Sequence, residues 1–129
     1  MADDRLARVK SAAPRLQRSP APAAVAPAIQ AFLDRAIELH RASGNRRSEG
    51  IALHQLALVR ERSGRLDEAE TLVRRAIERH VEIRNQRWEA LSSLALARIL
   101  DALERPEEAA AELARANAIF DVVGGRPTA

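Results

Sequence analysis

Ala36-Ile37-Glu38-Leu39-His40 returns as Ala76-Ile77-Glu78-Arg79-His80, displaced by 40 residues. The same displacement carries Asn45, Arg47 and Glu49 onto Asn85, Arg87 and Glu89. It also carries Leu56-Ala57 onto Leu96-Ala97, Glu68-Ala69 onto Glu108-Ala109 and Arg75 onto Arg115. Between residues 36–75 and 76–115, 13 of 40 positions are identical with no gap. A fixed period in this range marks stacked supersecondary units, none of which buries its apolar face alone. The repeat specifies an architecture without naming a partner.

Within each period, apolar residues recur at spacings of three and four, which places them on one face of a helix. A first helix starts at Pro27, where a missing N–H is harmless. It aligns Ile29, Phe32, Leu33, Ala36, Ile37 and His40, and Ser43-Gly44-Asn45 ends it. A second, from about Arg46 to Glu61, buries Leu53, Leu56, Ala57, Val59 and the stem of Arg60 before Ser63-Gly64. A third starts at Leu66 with Asp67 and Glu68 in its dipole-favoured first turn. It buries Ala69, Leu72, Val73, Ala76 and Ile77, and ends near Arg84-Asn85. A fourth, Gln86 to Leu103, buries Trp88, Leu91, Leu96, Ala97, Ile99 and Leu100. Pro106 opens a fifth that carries Ala109, Leu113, Ala116, Ile119 and Phe120 and stops at Gly124-Gly125. Short turns force antiparallel neighbours, so the predicted fold is all-α: antiparallel helical hairpins stacked as a short α-solenoid.

Composition agrees. Apolar residues reach 47%, but Trp88, Phe32 and Phe120 are the only aromatics. A core of Ala, Leu, Ile and Val favours closely packed helices over a sheet. No stretch approaches the roughly 20 apolar residues of a membrane span, and the start of the chain lacks the apolar run of a secretory signal. The absence of Cys excludes disulfides and thiol catalysis and fits a cytoplasmic protein.

Residues 1–26 read as a basic segment followed by a Pro/Ala-rich linker. Leu6 and Val9 support a short amphipathic helix over 2–12, interrupted by Pro14. Pro20, Pro22 and Pro27 then exclude regular helix. The repeat domain is expected over 27–124 and a disordered tail over 125–129. Net charge is only +3. Arg5, Arg8, Lys10, Arg15 and Arg18 gather at the start, against Asp3 and Asp4. A solvated tail is the preferred reading of that cluster over a nucleic-acid contact.

The block Leu53, Leu56-Ala57, Arg60, Gly64, Leu66, Ala69, Val73 and Ala76 resembles the tetratricopeptide repeat. A looser copy follows in Ser93, Leu96-Ala97, Leu100, Glu104, Pro106, Ala109, Leu113 and Ala116. The first helix resembles only the second half of a unit, through Leu33, Ala36 and Ile37. The small residues at 57, 69 and 76 let paired helices approach. The period of 40 looks like the extended variant of the family, seen in regulators of spindle orientation and in sensor arms of large bacterial transcription activators. That variant carries Asn-Leu-Gly-Asn where this chain has Gln55-Leu56-Ala57-Leu58 and Ala95-Leu96-Ala97-Arg98.

The resemblance implies a non-enzymatic interaction module, with the first helix of each hairpin lining a concave groove. The groove positions are then Ile51, His54, Gln55, Leu58, Glu61 and Arg62, followed by Leu91, Leu94, Ala95, Arg98, Asp101 and Ala102. Of these, His54, Gln55, Leu58, Glu61, Arg62, Leu94, Arg98 and Asp101 are the expected partner contacts. Arg62 and Arg98 are suited to gripping a carboxylate with both arms. The other reading packs the same residues against a third hairpin or a second copy. Stacked repeats contact only their neighbours, and this chain has about two and a half units. Ile119, Phe120, Val122 and Val123, with no polar cap after them, are expected to drive dimerisation, the other reading being that residues 1–18 fold back as a cap. Met1 points to a complete chain; the missing cap points to a longer array.

No metal or cofactor is expected. His40 and His80 stand one repeat apart, too far to share an ion, and with His54 read as helix-end or interface residues. Trp88 is read as packing between hairpins, with a partner anchor as the other option. No phosphate loop or nucleophile elbow occurs. The alternative function is a sensor or regulatory fragment of a bacterial transcription regulator or nucleic-acid-linked complex.

Overall fold

Helices of nearly one length recur at one interval along this chain. The structure, a computed structural model, describes residues 26–125. It comprises α1 (Ala26–Ala42), α2 (Arg46–Arg62), α3 (Leu66–Glu82), α4 (Gln86–Ala102) and α5 (Pro106–Val123), with no strand among the described residues. Starts at 46, 66, 86 and 106 mean that each helix and its turn take 20 residues, so each hairpin takes 40. The chain divides into two units at Ala31 and Phe32. Of the first, only residues 26–31 are described, and the packing below is that of the second. The predicted basic segment, its short helix and all but the end of the linker lie outside the described residues, as does the tail beyond Gly125.

All four turns are built alike. Asn45 N–H donates to the His40 carbonyl and Gly44 N–H to that of Arg41; the pattern recurs at 65/64, 85/84 and 105/104. This is the Schellman closure, which needs a left-handed residue just past the helix. Gly44 and Gly64 supply it at φ +73° and +77°, whereas Arg84 and Glu104 adopt it at +57° and +61°. The next residue then caps the following helix. Asn45 accepts from Ser48 N–H and Asn85 from Trp88 N–H, which accounts for the repeated Asn. Arg65 and Arg105 offer no side-chain cap, and acidic pairs fill the first turns of α3 and α5 instead.

Three apolar clusters run along the stack. Leu33 and Ile37 of α1 meet Ala52, Leu53 and Leu56 of α2 and Ala76 of α3. Ala57, Ala69, Val73 and Ile77 meet Ala95, Leu96, Ile99 and Leu100 of α4 and Ala109 of α5. Ala90, Ala116 and Phe120 form the third. Ala57, Ala69, Ala76, Ala90 and Ala116 are wholly buried, so small residues sit where helices approach most closely.

Ile29, Phe32 and Leu113 differ from the periodicity and are exposed. Phe32 is 72% exposed, because it lies about 120° round α1 from the midline of Leu33 and Ile37. Leu113 is 46% exposed because no helix among the described residues follows α5 to cover it. No helix of the described residues is long and apolar enough to cross a membrane.

Candidate functional site

The outward stripe of α2 comprises Ile51, Gln55, Leu58 and Arg62, spaced four, three and four apart. Gln55 and Arg62 are exposed, and Ile51 and Leu58 half-buried. On α4 the matching stripe is Leu91 and Leu94, both half-buried, then Arg98, Asp101 and Ala102, all exposed. A bidentate ion pair joins the stripes: Arg98 donates from Nε and Nη2 to the two Glu61 oxygens at 2.6 and 2.8 Å. Glu61 raises the Arg98 guanidinium further above its ordinary range through these bonds. The carboxylate that Arg98 grips is therefore the chain's own. Arg62, beside it, has no ion pair among the described residues.

Two expected groove residues lie elsewhere. Ala95 is buried in the core under α4. His54 is 8% exposed, and its Nδ1 shares a 2.8 Å hydrogen bond with Ser92 Oγ. Both face neighbouring helices, because α2 and α4 are packed on more than one side and only a narrow arc of each reaches solvent. Trp88 packs against two rings, edge-on to His54 at 5.3 Å and tilted to His80 at 5.9 Å. Half-buried, it packs between the hairpins.

This layer is electrostatically unusual. Burial, reinforced by Arg98 and opposed by Glu61, pushes His54 down to about 4. Burial, with the His54 charge behind it, does the same for His80. His80 is wholly buried, with neither ring nitrogen hydrogen bonded to a described residue. Neutral imidazoles therefore act here as flat packing groups. The sequence cue was Gly50, an isolated glycine inside a helix, which signals close approach. No group of His, Cys, Asp and Glu among the described residues could hold a metal ion.

At the end of the stack the expected self-association residues divide. Phe120 is 3% exposed and belongs to the third cluster, with Ile119 packed half-buried against it. Phe120 fills this chain's own core and is not available to a second copy in this fold. Val122 and Val123 are exposed, as is Leu113.

A family model for the tetratricopeptide repeat matches residues 48–121, from the first turn of α2 to the last of α5. This chain belongs to the tetratricopeptide repeat family. No curated protein and no solved structure matches it. In tetratricopeptide terms α2–α3 and α4–α5 are two hairpins, each helix running back along its predecessor, and the fold is that of a protein–protein interaction module.

Proposed function

We propose that this tetratricopeptide protein is a non-enzymatic cytoplasmic scaffold that binds a peptide or partner protein across the α2/α4 face. The observation that carries this is the continuous stripe joined by Glu61 and Arg98. There, exposed Gln55, Arg62 and Asp101 alternate with half-buried Leu58 and Leu94. Apolar strips flanked by fixed charge suit a partner segment that is part aliphatic and part acidic. A photo-crosslinking residue at Gln55, compared with one at exposed Thr71 on α3, tests it. Covalent capture of a defined partner from Gln55 alone supports the face; equal capture from both positions rejects it.

Self-association through Val122 and Val123 is the second part of this reading, supported by their exposure at the end of α5. Light scattering on the full chain and on one starting at Pro27 should give a dimer in both, lost in Val122→Asp. A monomer at every concentration would sink it. The transcription-regulator alternative rests on the basic segment, which lies outside the described residues.

A further inference from the structure

Phe32 is 72% and Leu39 52% exposed on α1, with half-buried Ala36 between them. Spacings of four and three put all three on one side of the helix. Stacking does not use the two large residues, since α1 packs on α2 through Leu33 and Ile37.

The internal repeat shows what this side receives elsewhere. Ala36, Leu39 and His40 recur as Ala76, Arg79 and His80 on α3, and as Ala116, Ile119 and Phe120 on α5. Both later copies lie under the preceding helix. A Cβ at Gly50 of α2 would stand 3.1 Å from the Arg79 Cβ and closer still to the His80 ring. Ala90 of α4 shares a cluster with Ala116 and Phe120, and Leu94 and Ile119 pack against it. Ala76, His80 and Ala116 are accordingly 0% exposed and Phe120 3%. No described helix takes this place on α1, where Ala36 and His40 stay half-buried. The rim differs too. Each covered side carries one charged residue there, Arg79 on α3 and Glu112 on α5, whereas α1 has Leu39 and Phe32.

The two covering helices share a pattern. Gly50 or Ala90 is followed four residues on by His54 or Leu94, and three further on by Ala57 or Ala97. Small residues at the first and last places let the paired helices close in. A folded second copy of the chain offers no such helix, because its α2 and α4 seat that side on their own α3 and α5. The chain's own preceding residues do not repeat the pattern. One repeat before Gly50 and Ala57 stand Lys10 and Gln17, and Pro14 breaks the span between them.

We infer that the Phe32 and Leu39 side of α1 is a docking site for an amphipathic helix of another protein, lying antiparallel to α1. That helix sets a Gly or Ala against His40, an aliphatic side chain over Ala36 and a second small residue beside Phe32. Covering Phe32 and Leu39 removes apolar surface from water, and a helix needs no backbone hydrogen bonds from its seat.

Fluorescence anisotropy with the full chain tests the inference. The probe is a labelled peptide of residues 86–102, the α4 sequence, which carries the pattern. It should bind saturably. Ala90→Leu in the peptide should remove binding by overfilling the small place, and Leu94→Pro by breaking the helix. Phe32→Asp and Leu39→Asp in the protein should each weaken binding at least roughly tenfold. Both side chains are exposed, so these variants fold, which their melting temperatures check. The peptide variants test the same contact without altering the protein. Gln55→Asp on the α2/α4 face and Leu113→Asp at the uncovered side of α5 should leave binding within about twofold. No saturable binding, equal binding of the Leu94→Pro peptide, or an equal loss in Gln55→Asp or Leu113→Asp would overturn the inference. So would indifference to Phe32 and Leu39, which is the result expected if the peptide replaces the chain's own α4. None of these outcomes bears on the α2/α4 face, whose own test is the Gln55 crosslink.

Discussion

Gly50 of α2 lies against the imidazole of His80 on α3: a Cβ at position 50 would stand 2.8 Å from its Cε1 and 2.9 Å from its Nδ1. One repeat later the same two positions are Ala90 and Phe120, which share a core cluster. The two hairpins solve one contact with different pairs. Gly50→Ala should gain about 0.5–1 kcal/mol of helix propensity and lose about 1–3 kcal/mol to overpacking. The clash wins because His80 is wholly buried. A net loss of about 1–2 kcal/mol is expected in urea unfolding. The double variant Gly50→Ala/His80→Phe, which copies the second unit, should recover most of it. Additive losses in the double variant would show that the two positions are not coupled.

Acid should unfold the protein earlier than its carboxylates alone require. His54 and His80 titrate near 4 in the fold against 6.5 in the unfolded chain. Across that interval the unfolded state binds more protons, so stability is fully present above about pH 6.5 and is lost as pH falls toward about 4. The ceiling is roughly 3 kcal/mol per histidine, less for the pair because the two charges would also repel. Urea midpoints at about pH 7 and about pH 4.5 measure the loss, and His80→Phe should reduce it. An unchanged midpoint across this range would contradict the burial of the two rings.

The turn residues make a sharper forecast. Arg84 and Glu104 hold the left-handed conformation that Gly44 and Gly64 hold at equivalent turns. Arg84→Gly and Glu104→Gly should each stabilise by about 0.5–1 kcal/mol, since a side chain costs about 1–2 kcal/mol there while glycine loses more entropy on folding. Gly64→Ala should destabilise by about 1 kcal/mol although a Cβ at 64 meets nothing within 4 Å. Thermal melts of the three variants should move in opposite directions. A common sign would refute the backbone explanation.

The Glu61–Arg98 pair is bidentate, but its exposure limits its strength: the Arg98 side chain is 57% exposed and that of Glu61 17%. A double-mutant cycle with Glu61→Ala and Arg98→Ala should give a coupling of about 0.3–1 kcal/mol that shrinks toward zero in about 1 M salt. Coupling that persists in salt would mean the pair is more shielded than its exposure implies.

Much of this architecture was legible in the residues because it is local or periodic. The 40-residue repeat, the turn glycines, Pro106 and the spacing of Leu and Ala place every described helix. They also place most of the apolar core. The repeated Asn45 and Asn85 have a local cause in capping, visible within one turn of chain.

The rest depended on which arcs of each helix its neighbours cover, and periodicity does not report that. A helix flanked on more than one side loses most of its polar face. Ser92, Ser93 and His54 are therefore buried although their types favour water. At the uncovered end, Leu113 and Val122 stay exposed although theirs do not. Contacts between distant positions were equally invisible: Arg98 finding Glu61 and His80 resting on Gly50. Sequence by itself determined the period, the helices and the small residues that let them stack. Only the tertiary structure decided which charges paired internally, because an ion pair depends on distance in space, and a repeat records distance only along the chain.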